Sequence, residues 1–342
     1  MNLLPLALSL GERLPLPDFA TRRVIDHLVG RTHASLQPDR ASADARFARE
    51  MTAFPIASHT AAANAQHYEL PADFFSAVLG PRLKYSCCWF ADEKTPLAVA
   101  EEAALQATVE HAALADGQRI LELGCGWGSL SLWMAAHYPN ASIVAVSNSQ
   151  SQRRFITHQA DVAGLRNLTV VTADMNEFVP EGQFDRIVSV EMFEHMSNWR
   201  ALLTRLRNCL SPDGRAFLHV FTHRDAPYRF DHNNKGDWIA QHFFTGGVMP
   251  SHNFIRQFSD LFSVEAEWRW SGLHYERTAE AWLKNYDACE TEVRKSLIET
   301  YGTNWRIWHR RWRLFFLATM GLFGHAEGEI WSVSHYRLAP TS

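Results

Sequence analysis

A glycine-rich segment between an apolar run and a helical stretch most constrains the fold of this chain. The apolar run, residues 118–123 (QRILEL), leads into Gly124, Gly126 and Gly128. Glycine lets the backbone turn tightly and approach a ligand closely, while the N–H groups of a following helix face that ligand. A dinucleotide site requires GxGxxG and an acidic residue about twenty positions later, whereas this loop reads GxGxG after Glu122. The segment therefore predicts a ligand-binding loop of another type.

Strands and helices alternate from about residue 95 to 220. Short apolar runs and helical stretches follow one another at the spacing of βαβ units, which build a parallel sheet with right-handed crossovers. Residues 1–65 contain helical fragments punctuated by prolines, so we expect a helical N-terminal extension there. We expect residues 66–342 to form the main domain, with helical cap elements over about 222–330. The predicted fold class is α/β: a doubly wound, mostly parallel, Rossmann-like sheet with a helical extension and cap.

Charge and composition exclude several classes of protein. The chain has 33 basic and 37 acidic side chains, a formal charge of −4 and no run of like charges, so we expect no nucleic-acid partner. No stretch of about 18 apolar residues occurs, which argues against a membrane-spanning helix. The first residues lack the basic start and cleavage site of a signal peptide. We therefore expect a cytoplasmic protein.

Cysteine, histidine and tryptophan usage bears on the chemistry of the site. Five cysteines, two of them adjacent, make neither a disulfide framework nor a CxxC pattern, and the 17 histidines are scattered, so we expect no metal. Eight of the twelve tryptophans lie between Trp238 and Trp331. They fit either an aromatic core or a pocket for an apolar ligand, and composition does not separate the two.

The loop 122–128 (ELGCGWG), with its leading acid, resembles the S-adenosylmethionine (SAM) loop of class I methyltransferases. The resemblance implies that Glu122, Gly124 and Gly126 bind SAM, although a simple strand-to-helix turn would also explain the glycines. A SAM-binding regulator without catalysis is a further alternative.

Polar residues follow the second and third predicted strands. Many class I methyltransferases have an acid after the second strand to hold the ribose hydroxyls, but this chain has none. We expect the hydroxyl and amide groups of Ser147, Asn148 and Gln152 to replace it, although a helix cap would also explain them. After the third strand, Asp174 is the candidate acceptor for the adenine amino group, or else a cap or turn residue.

Five separated motifs extend the resemblance from about residue 60 to the end of the chain. In this order they resemble the cyclopropane fatty acid synthase and coclaurine N-methyltransferase superfamily. The paired cysteines, the segment after the second strand and the last motif look closer to the N-methyltransferase branch. The motifs are 85–90 (YSCCWF), 191–196 (EMFEHM), 243–251 (FFTGGVMPS), 272–278 (GLHYERT) and 331–336 (WSVSHY).

The resemblance implies roles for further residues. Tyr85 and Ser86 match SAM-binding positions of the superfamily. In the N-methyltransferase branch the catalytic pair corresponds to Glu194 and His195, which follow a strand and so lie at the ligand-binding edge of the sheet. Such a pair can take the proton from a protonated amine before its nitrogen attacks.

The cyclopropane branch implies a second arrangement, in which a buried bicarbonate is held next to an alkene acceptor. Its positions correspond to Cys87, Glu194, His219, Tyr275 and the backbone of Phe221. Taken singly, the cysteine fits a small buried hydrophobe, the strand histidine a core residue and the tyrosine a helix anchor.

The sequence therefore predicts a SAM-dependent methyltransferase whose acceptor is most simply a small hydrophobic amine. The alternative is methyl or methylene transfer to an unsaturated acyl chain, an activity of lipid biosynthesis. That alternative implies peripheral membrane contact through an apolar, basic-edged surface, for which residues 3–10 (LLPLALSL) and the arginine-rich stretch 306–313 are candidates. The resemblance also suggests a homodimer.

Overall fold

The computed structural model describes residues 16–36, 40–58 and 70–341, and its centre is a seven-stranded sheet. The strand order is β3-β2-β1-β4-β5-β9-β8, in which neighbours from β3 to β5 are parallel and β9 runs antiparallel to both β5 and β8. The strands are β1 (Arg119–Leu123), β2 (Ser142–Ser147), β3 (Leu168–Thr172), β4 (Phe184–Val190), β5 (Leu210–His223), β8 (Phe262–Trp270) and β9 (Trp331–Pro340); β6 (Tyr228–Arg229) and β7 (Val248–Met249) form a separate pair.

Eleven α-helices surround the sheet in the described part of the chain. Several begin at a side chain that accepts a hydrogen bond from the first turn, as Ser149, Asn198 and Ser271 do. The helices are α1 (Asp18–Ser35), α2 (Arg40–Met51), α3 (Ala72–Val78), α4 (Leu97–His111), α5 (Ser129–His137), α6 (Gln150–Val162), α7 (Trp199–Cys209), α8 (Trp238–His242), α9 (Gly272–Ala288), α10 (Glu290–Tyr301) and α11 (Trp305–Gly324).

The order of the strands determines where a ligand can bind. Strand β1 pairs with β2 on one side and with β4 on the other, so the chain changes winding direction at β1. Ligands of open α/β sheets bind beyond the carboxyl ends of the strands at such a point. The predicted doubly wound, mostly parallel α/β fold with flanking helices is confirmed.

The C-terminal part combines sheet and cap. Helices α9, α10 and α11 pack together and α1 packs against α11, while Trp282, Trp312 and Trp331 are fully buried between such elements. Much of the tryptophan enrichment is therefore core. Strand β8 lies within the range 222–330 assigned to the cap, yet it pairs with β9 in the main sheet. Along β8, exposed side chains alternate with buried or partly buried ones, which is typical of an edge strand.

The N-terminal helices reach the ligand-binding edge of the sheet. The backbone beyond α2 bonds to the segment after β4, since Ser197 N–H donates to Ile56 O at 2.7 Å. The Asn176 side chain also bonds to both backbone groups of Ala57. The predicted boundary at residue 65 lies outside the described residues. Among the described helices, none combines the length and apolar content needed to cross a membrane.

Candidate active site

The glycine loop after β1 has one packed side and one open side. Gly124 has φ of 78°, and a Cβ atom there would lie 2.6 Å from Met192 Cβ. Both the left-handed backbone and this close contact therefore exclude a side chain at Gly124. Gly126 has φ of 52°, but a Cβ atom there would meet nothing within 4 Å. The loop is closed by Gly124 and Cys125 N–H groups, which both donate to Val146 O. A ligand can therefore approach the backbone at Gly126.

The segment after β2 presents a polar group without a protein partner. Ser147 Oγ donates to Gln152 Oε1 at 2.6 Å, and Ser149 Oγ caps α6. Gln152 is buried, and its Nε2 has no hydrogen-bond partner among the described residues. A buried donor without a partner costs roughly 1–3 kcal/mol. A ligand that supplies an acceptor here removes that cost, as the ribose of SAM would.

Glu122 and Asp174 differ in how they face the cleft. The buried carboxyl of Glu122 accepts from Ser131 Oγ on α5, and burial raises its pKa to about 7. Its side chain thus joins strand to helix and is not part of the cleft wall. Asp174 does line the cleft, with Oδ1 accepting from Asn176 N–H at 2.7 Å. Glu122 is a supporting residue of the loop in this structure.

One cleft brings together seven of the predicted residues. It runs from the glycine loop, past the ends of β2 and β3, to the turn after β4. Two residues of the N-terminal extension, Ala57 and Ser58, complete its wall. The predicted residues that line it are Gly124, Gly126, Ser147, Asn148, Gln152, Asp174 and His195.

Glu191, which was not among the predicted site residues, lines the same cleft and supplies a carboxyl group there. Its Oε1 accepts from Cys87 N–H at 2.9 Å and lies 3.1 Å from His219 Nε2. Its Oε2 accepts from Tyr275 Oη at 2.6 Å. Glu191 also has φ of 48°, a left-handed conformation that costs a residue with a side chain roughly 1–2 kcal/mol. It is the first residue of the EMFEHM motif.

Three of the groups predicted to hold bicarbonate are thus bonded to a carboxylate of the chain itself. The contribution of Cys87 is its backbone N–H, not its thiol. Burial and the charge of Glu191 raise the pKa of that thiol well above its usual range, so it stays protonated. The same two causes raise the pKa of the Tyr275 phenol, which therefore remains a donor.

Glu194 lies behind Glu191 and is fully buried. Its Oε1 accepts from Phe221 N–H at 2.7 Å, so this backbone group bonds to Glu194, and its Oε2 has no partner among the described residues. Burial and the charge of Glu191 raise the pKa of Glu194 well above its ordinary value. Burial also raises the pKa of Glu191, although Lys84 and the donated hydrogen bonds oppose this. Two neighbouring carboxyl groups in this situation do not readily ionise together, because the charge of one disfavours the charge of the other.

A buried lysine balances this pair. Lys84 is 3% exposed, and its Nζ donates to Ser86 Oγ and to Cys87 O, each at 2.6 Å. The predicted SAM residue Ser86 is therefore tied to the cation. Lys84 stands directly before the YSCCWF motif, and this adjacency was the available sequence signal. Tyr85 packs its ring between Phe75 and Trp282, at centroid distances of 5.3 and 5.5 Å.

His195 lies on the wall of the cleft and contacts a group of aromatic rings. Its ring lies 4.4 Å from the ring of Phe244, which in turn lies 4.8 Å from Phe230 and 5.6 Å from Phe221. The predicted catalytic histidine therefore stands between the polar cleft and an aromatic wall. This wall, Phe221, Phe230 and Phe244, can cover an apolar molecule and can face a cation.

One group of metal-ligating side chains was not expected. Ligand atoms of His33, His223 and Asp225 lie within 4.8 Å of one another. However, His33 Nδ1 is 3.1 Å from His223 Nε2, so the two rings bond to each other, and His223 Nδ1 accepts from two backbone N–H groups. Asp225 pairs with Arg224 at 3.1 Å. These nitrogens are used within the protein.

Comparison with known proteins agrees with the geometry. The family model described as mycolic acid cyclopropane synthetase matches residues 57–325. (S)-coclaurine N-methyltransferase of Thalictrum flavum subsp. glaucum is 37% identical over 286 residues, which are 82% of this chain and 79% of that protein. Cyclopropane-fatty-acyl-phospholipid synthase of Escherichia coli is 30% identical over 78% of this chain and 66% of that protein.

A solved structure of coclaurine N-methyltransferase, bound to N-methylheliamine and SAH, superposes with a TM-score of 0.90 at 32% identity. The match covers 98% of this chain and 97% of that one. The cleft and its orphaned donor at Gln152 fit such a nucleoside ligand. The chain therefore belongs to the mycolic acid cyclopropane synthetase family, within the superfamily of cyclopropane fatty acid synthases and coclaurine N-methyltransferases, and it is a SAM-dependent methyltransferase.

Proposed function

We propose that this protein transfers the methyl group of SAM to the nitrogen of a small, hydrophobic amine. The observation that carries the proposal is the carboxylate of Glu191, which lies in the cleft and accepts hydrogen bonds from Cys87 N–H and Tyr275 Oη. A carboxyl group that can ionise beside the acceptor site suits an amine, because the acceptor is cationic before and after methylation. The coclaurine N-methyltransferase similarity supports the same acceptor class.

The SAM site in this proposal is the half of the cleft formed by the glycine loop and the segment after β2. When bound there, SAM supplies a methyl group on a positively charged sulfur. Gly126 provides the close backbone approach, Gln152 Nε2 the free donor, and Asn148 and Asp174 further polar groups on the wall. Tyr85 and Ser86 would close it from the side of Lys84. Positioning of this kind can lower the activation free energy by up to about 7–11 kcal/mol when the reactants are well oriented.

The remaining task of the chain is to take a proton from the amine. His195 lies on the cleft wall, so its imidazole can accept that proton. The Glu191 and Glu194 pair holds a negative charge next to it and stabilises the cation that forms. General base assistance of this kind is worth roughly 10²–10⁴-fold in rate. Glu194 acts through this shared charge, because its own carboxyl is fully buried.

Glu194→Gln tests that assignment. We expect turnover to fall by roughly 10²–10⁴-fold, while the affinity for S-adenosylhomocysteine, measured by calorimetry, stays at the parental value. Because the parental turnover is measured beside it, the same assay distinguishes a methyltransferase from a SAM-binding regulator without catalysis. Parental turnover in the variant would refute the role of Glu194.

The aromatic wall supports a hydrophobic acceptor. Phe221, Phe230 and Phe244 form a continuous set of ring contacts that begins beside His195. Aromatic faces favour a positively charged nitrogen by roughly 0.5–2 kcal/mol. The wall therefore suits an amine with an apolar body.

Methylene transfer to an acyl chain is the second candidate, because groups predicted to hold bicarbonate do converge. It would require bicarbonate to share donors that Glu191 already uses. It would also require a membrane-facing surface. Residues 3–10 lie outside the described residues, and in the arginine-rich stretch Arg313 is bonded to Asp18 and Asp287.

One experiment distinguishes the two acceptors. The purified protein is incubated with SAM carrying a CD₃ group, unsaturated phospholipid vesicles and a panel of secondary amines, and products are analysed by mass spectrometry. We expect an amine that retains all three deuteriums. A labelled lipid that retains two would show that a methyl proton was removed to close a ring, and it would replace the proposal with the second candidate.

We also propose a cytoplasmic location and a homodimer. All five cysteines are free and four are buried, which fits a reducing compartment. The homodimer rests on the family resemblance. Light scattering coupled to size-exclusion chromatography measures the mass in solution, and a monomer would refute it.

A further inference from the structure

Three histidines connect Glu191 to the edge of the molecule. Oε1 of Glu191 lies 3.1 Å from His219 Nε2. His219 Nδ1 lies 2.8 Å from His335 Nε2, and His335 Nδ1 lies 2.8 Å from His111 Nδ1. Each inner ring thus uses one nitrogen toward Glu191 and the other toward the next ring. His219 and His335 are fully buried, whereas His111 is partly exposed.

The sheet fixes this alignment. His219 on β5 is paired directly with His335 on β9, which is paired with Trp268 on β8, so the three side chains point to the same face. His111 comes from the last turn of α4 and stacks on Trp268 with a centroid distance of 3.9 Å and an angle of 7°. Trp270 packs against His335 at 4.3 Å. Two tryptophans therefore hold the rings in bonding positions.

The rings are neutral in this setting. Burial lowers the pKa of His219 and of His335 well below the ordinary value, and Lys84 lowers both further. Burial also lowers the pKa of His111; Glu110 opposes this shift and Arg337 adds to it. At the inner end, Glu191 is faced by Lys84 and by the coupled Glu194, Cys87 and Tyr275 groups described above.

We propose that His219, His335 and His111 form a proton relay through which Glu191 exchanges its proton with solvent while the cleft is closed. Neutral imidazole has one N–H donor and one acceptor nitrogen, so a row of such rings has two complete tautomer sets. With Glu191 protonated, the protons lie on His219 Nδ1, His335 Nδ1 and His111 Nε2. With Glu191 ionised, they lie on His219 Nε2, His335 Nε2 and His111 Nδ1.

The outward transfer converts the first set into the second. The O–H bond of Glu191 breaks and its proton forms the Nε2–H bond of His219. The Nδ1–H proton of His219 passes to Nε2 of His335, and the Nδ1–H proton of His335 passes to Nδ1 of His111. The Nε2–H proton of His111 leaves to water or a buffer base. One proton leaves Glu191, one reaches solvent and no ring keeps a charge; the reverse sequence restores Glu191.

The relay allows Glu191 to ionise when the ligands bind, a consequence that rests on the proposed function. SAM and a protonated amine are both cations, and together they favour ionised Glu191. The two ligands would fill the cleft, so the displaced proton needs another way out. The histidine row leaves the site on the side of the sheet edge and does not pass through the acceptor cavity.

Nitrogen-15 NMR of histidine-labelled full-length protein tests the relay without any acceptor. We expect the ring nitrogens of the three histidines to invert their tautomers together over one pH interval, without forming imidazolium. In Glu191→Gln, which has no carboxyl to ionise, the inversion should be absent. Rings that titrate separately to imidazolium, or an inversion that persists in Glu191→Gln, would overturn the proposal.

His335→Gln supplies a second variant, because an amide keeps hydrogen bonds but cannot pass a proton. We expect the tautomers of His219 and His111 to become independent in it; continued inversion together would overturn the relay. Peaks are assigned from the signals lost in His335→Gln and His111→Ala.

Turnover measured in a low concentration of a bulky buffer then tests whether catalysis uses the relay. We expect His111→Ala to lower kcat by roughly tenfold or more, with recovery on adding imidazole. His137→Ala is the matched control, because His137 also ends a helix and stacks on a tryptophan, Trp133, at 3.8 Å. Equal kcat in all three proteins would show that turnover does not use the relay. A parent that methylates no amine would refute the proposed function, while the NMR result would still decide the relay.

Discussion

The two ends of the cleft are built in different ways. At the proposed SAM end, the glycine loop bonds to Val146 O on the neighbouring strand, and the start of α6 is held by a local bond from Ser147 to Gln152. At the acceptor end, Glu191 is held by Cys87 and Tyr275, which are 104 and 84 residues away in sequence. The first end depends on backbone conformation. The second depends on long-range packing of buried charges.

This difference predicts different responses to mutation. A backbone cradle fails when a side chain is added, because the added atoms occupy the ligand's space or force the turn to move. A buried charge cluster fails when one member is neutralised, because its partners remain buried without compensation, at a cost of several kcal/mol. Substitutions at the two ends should therefore separate into effects on SAM binding and effects on the chemical step.

Glu191→Gln should have the largest effect on turnover. The amide keeps the size of the side chain but removes the anion beside the acceptor, so we expect kcat to fall by roughly 10²–10⁴-fold. Calorimetric SAH affinity should stay at the parental value, since Glu191 serves the acceptor end. Glu299→Gln, at an exposed position of α10, is the control. A loss of SAH binding equal to the loss of turnover would contradict the separation of the two ends.

Glu122→Gln tests a buried carboxyl group at the SAM end, which is an exception to the description of that end as a backbone cradle. The pKa of Glu122 is raised from 4.5 in the unfolded chain to about 7 in the fold. Between these values the folded protein holds a proton that the unfolded chain has lost, so the free energy of unfolding falls as pH rises from about 4.5 to 7. The amide does not titrate. We therefore expect the variant to gain roughly 3 kcal/mol relative to the parent across this interval.

Urea unfolding of both proteins at pH 5 and pH 8 measures that gain. Glu299→Gln again serves as the control, because its side chain is exposed. A difference between Glu122→Gln and the parent that does not change with pH would show that Glu122 is not the group that titrates.

A pair of alanine substitutions sharpens the view of the glycine loop. Gly124→Ala places a Cβ atom 2.6 Å from Met192 in a left-handed conformation, so we expect a stability loss of roughly 2–4 kcal/mol. Gly126→Ala meets no protein atom within 4 Å, so we expect a loss of only about 1–2 kcal/mol but weaker SAH binding. Thermal unfolding and calorimetry measure the two effects. Equal SAH affinity in Gly126→Ala and the parent would place SAM elsewhere.

The sequence signals for the proposed SAM end lie close to strand ends. Gly124, Gly126, Ser147 and Gln152 lie within a few residues of a strand end, where the order of the strands places ligands. The bond between Glu122 and Ser131 was not predicted, because a strand pattern does not show which partner a side chain will take.

The motifs supplied the sequence signals for the proposed acceptor end. They indicated Cys87, His219 and Tyr275 but not the carboxylate of Glu191 that these residues surround. That carboxylate enters the site because its residue has a positive φ, which no residue pattern announces. The pairing of His219 with His335 depends on the antiparallel register of β5 and β9. Residues 262–270 alternate apolar and polar side chains at every position, so β8 carried a strand signal that the assignment of its range to the cap overlooked.

Phe244→Leu should give the smallest effect and locates the acceptor. Leucine keeps most of the apolar surface but removes the aromatic face beside His195, and a cation–aromatic contact is worth roughly 0.5–2 kcal/mol. We expect KM for a hydrophobic amine to rise by roughly two- to thirtyfold, with SAH affinity unchanged. Phe315→Leu is the control, because its ring stacks on Phe243 at 4.5 Å in the helical region. If the two variants raised KM equally, the aromatic wall would not be the acceptor site. Aromatic contacts would then no longer distinguish the acceptor end of the cleft from the SAM end.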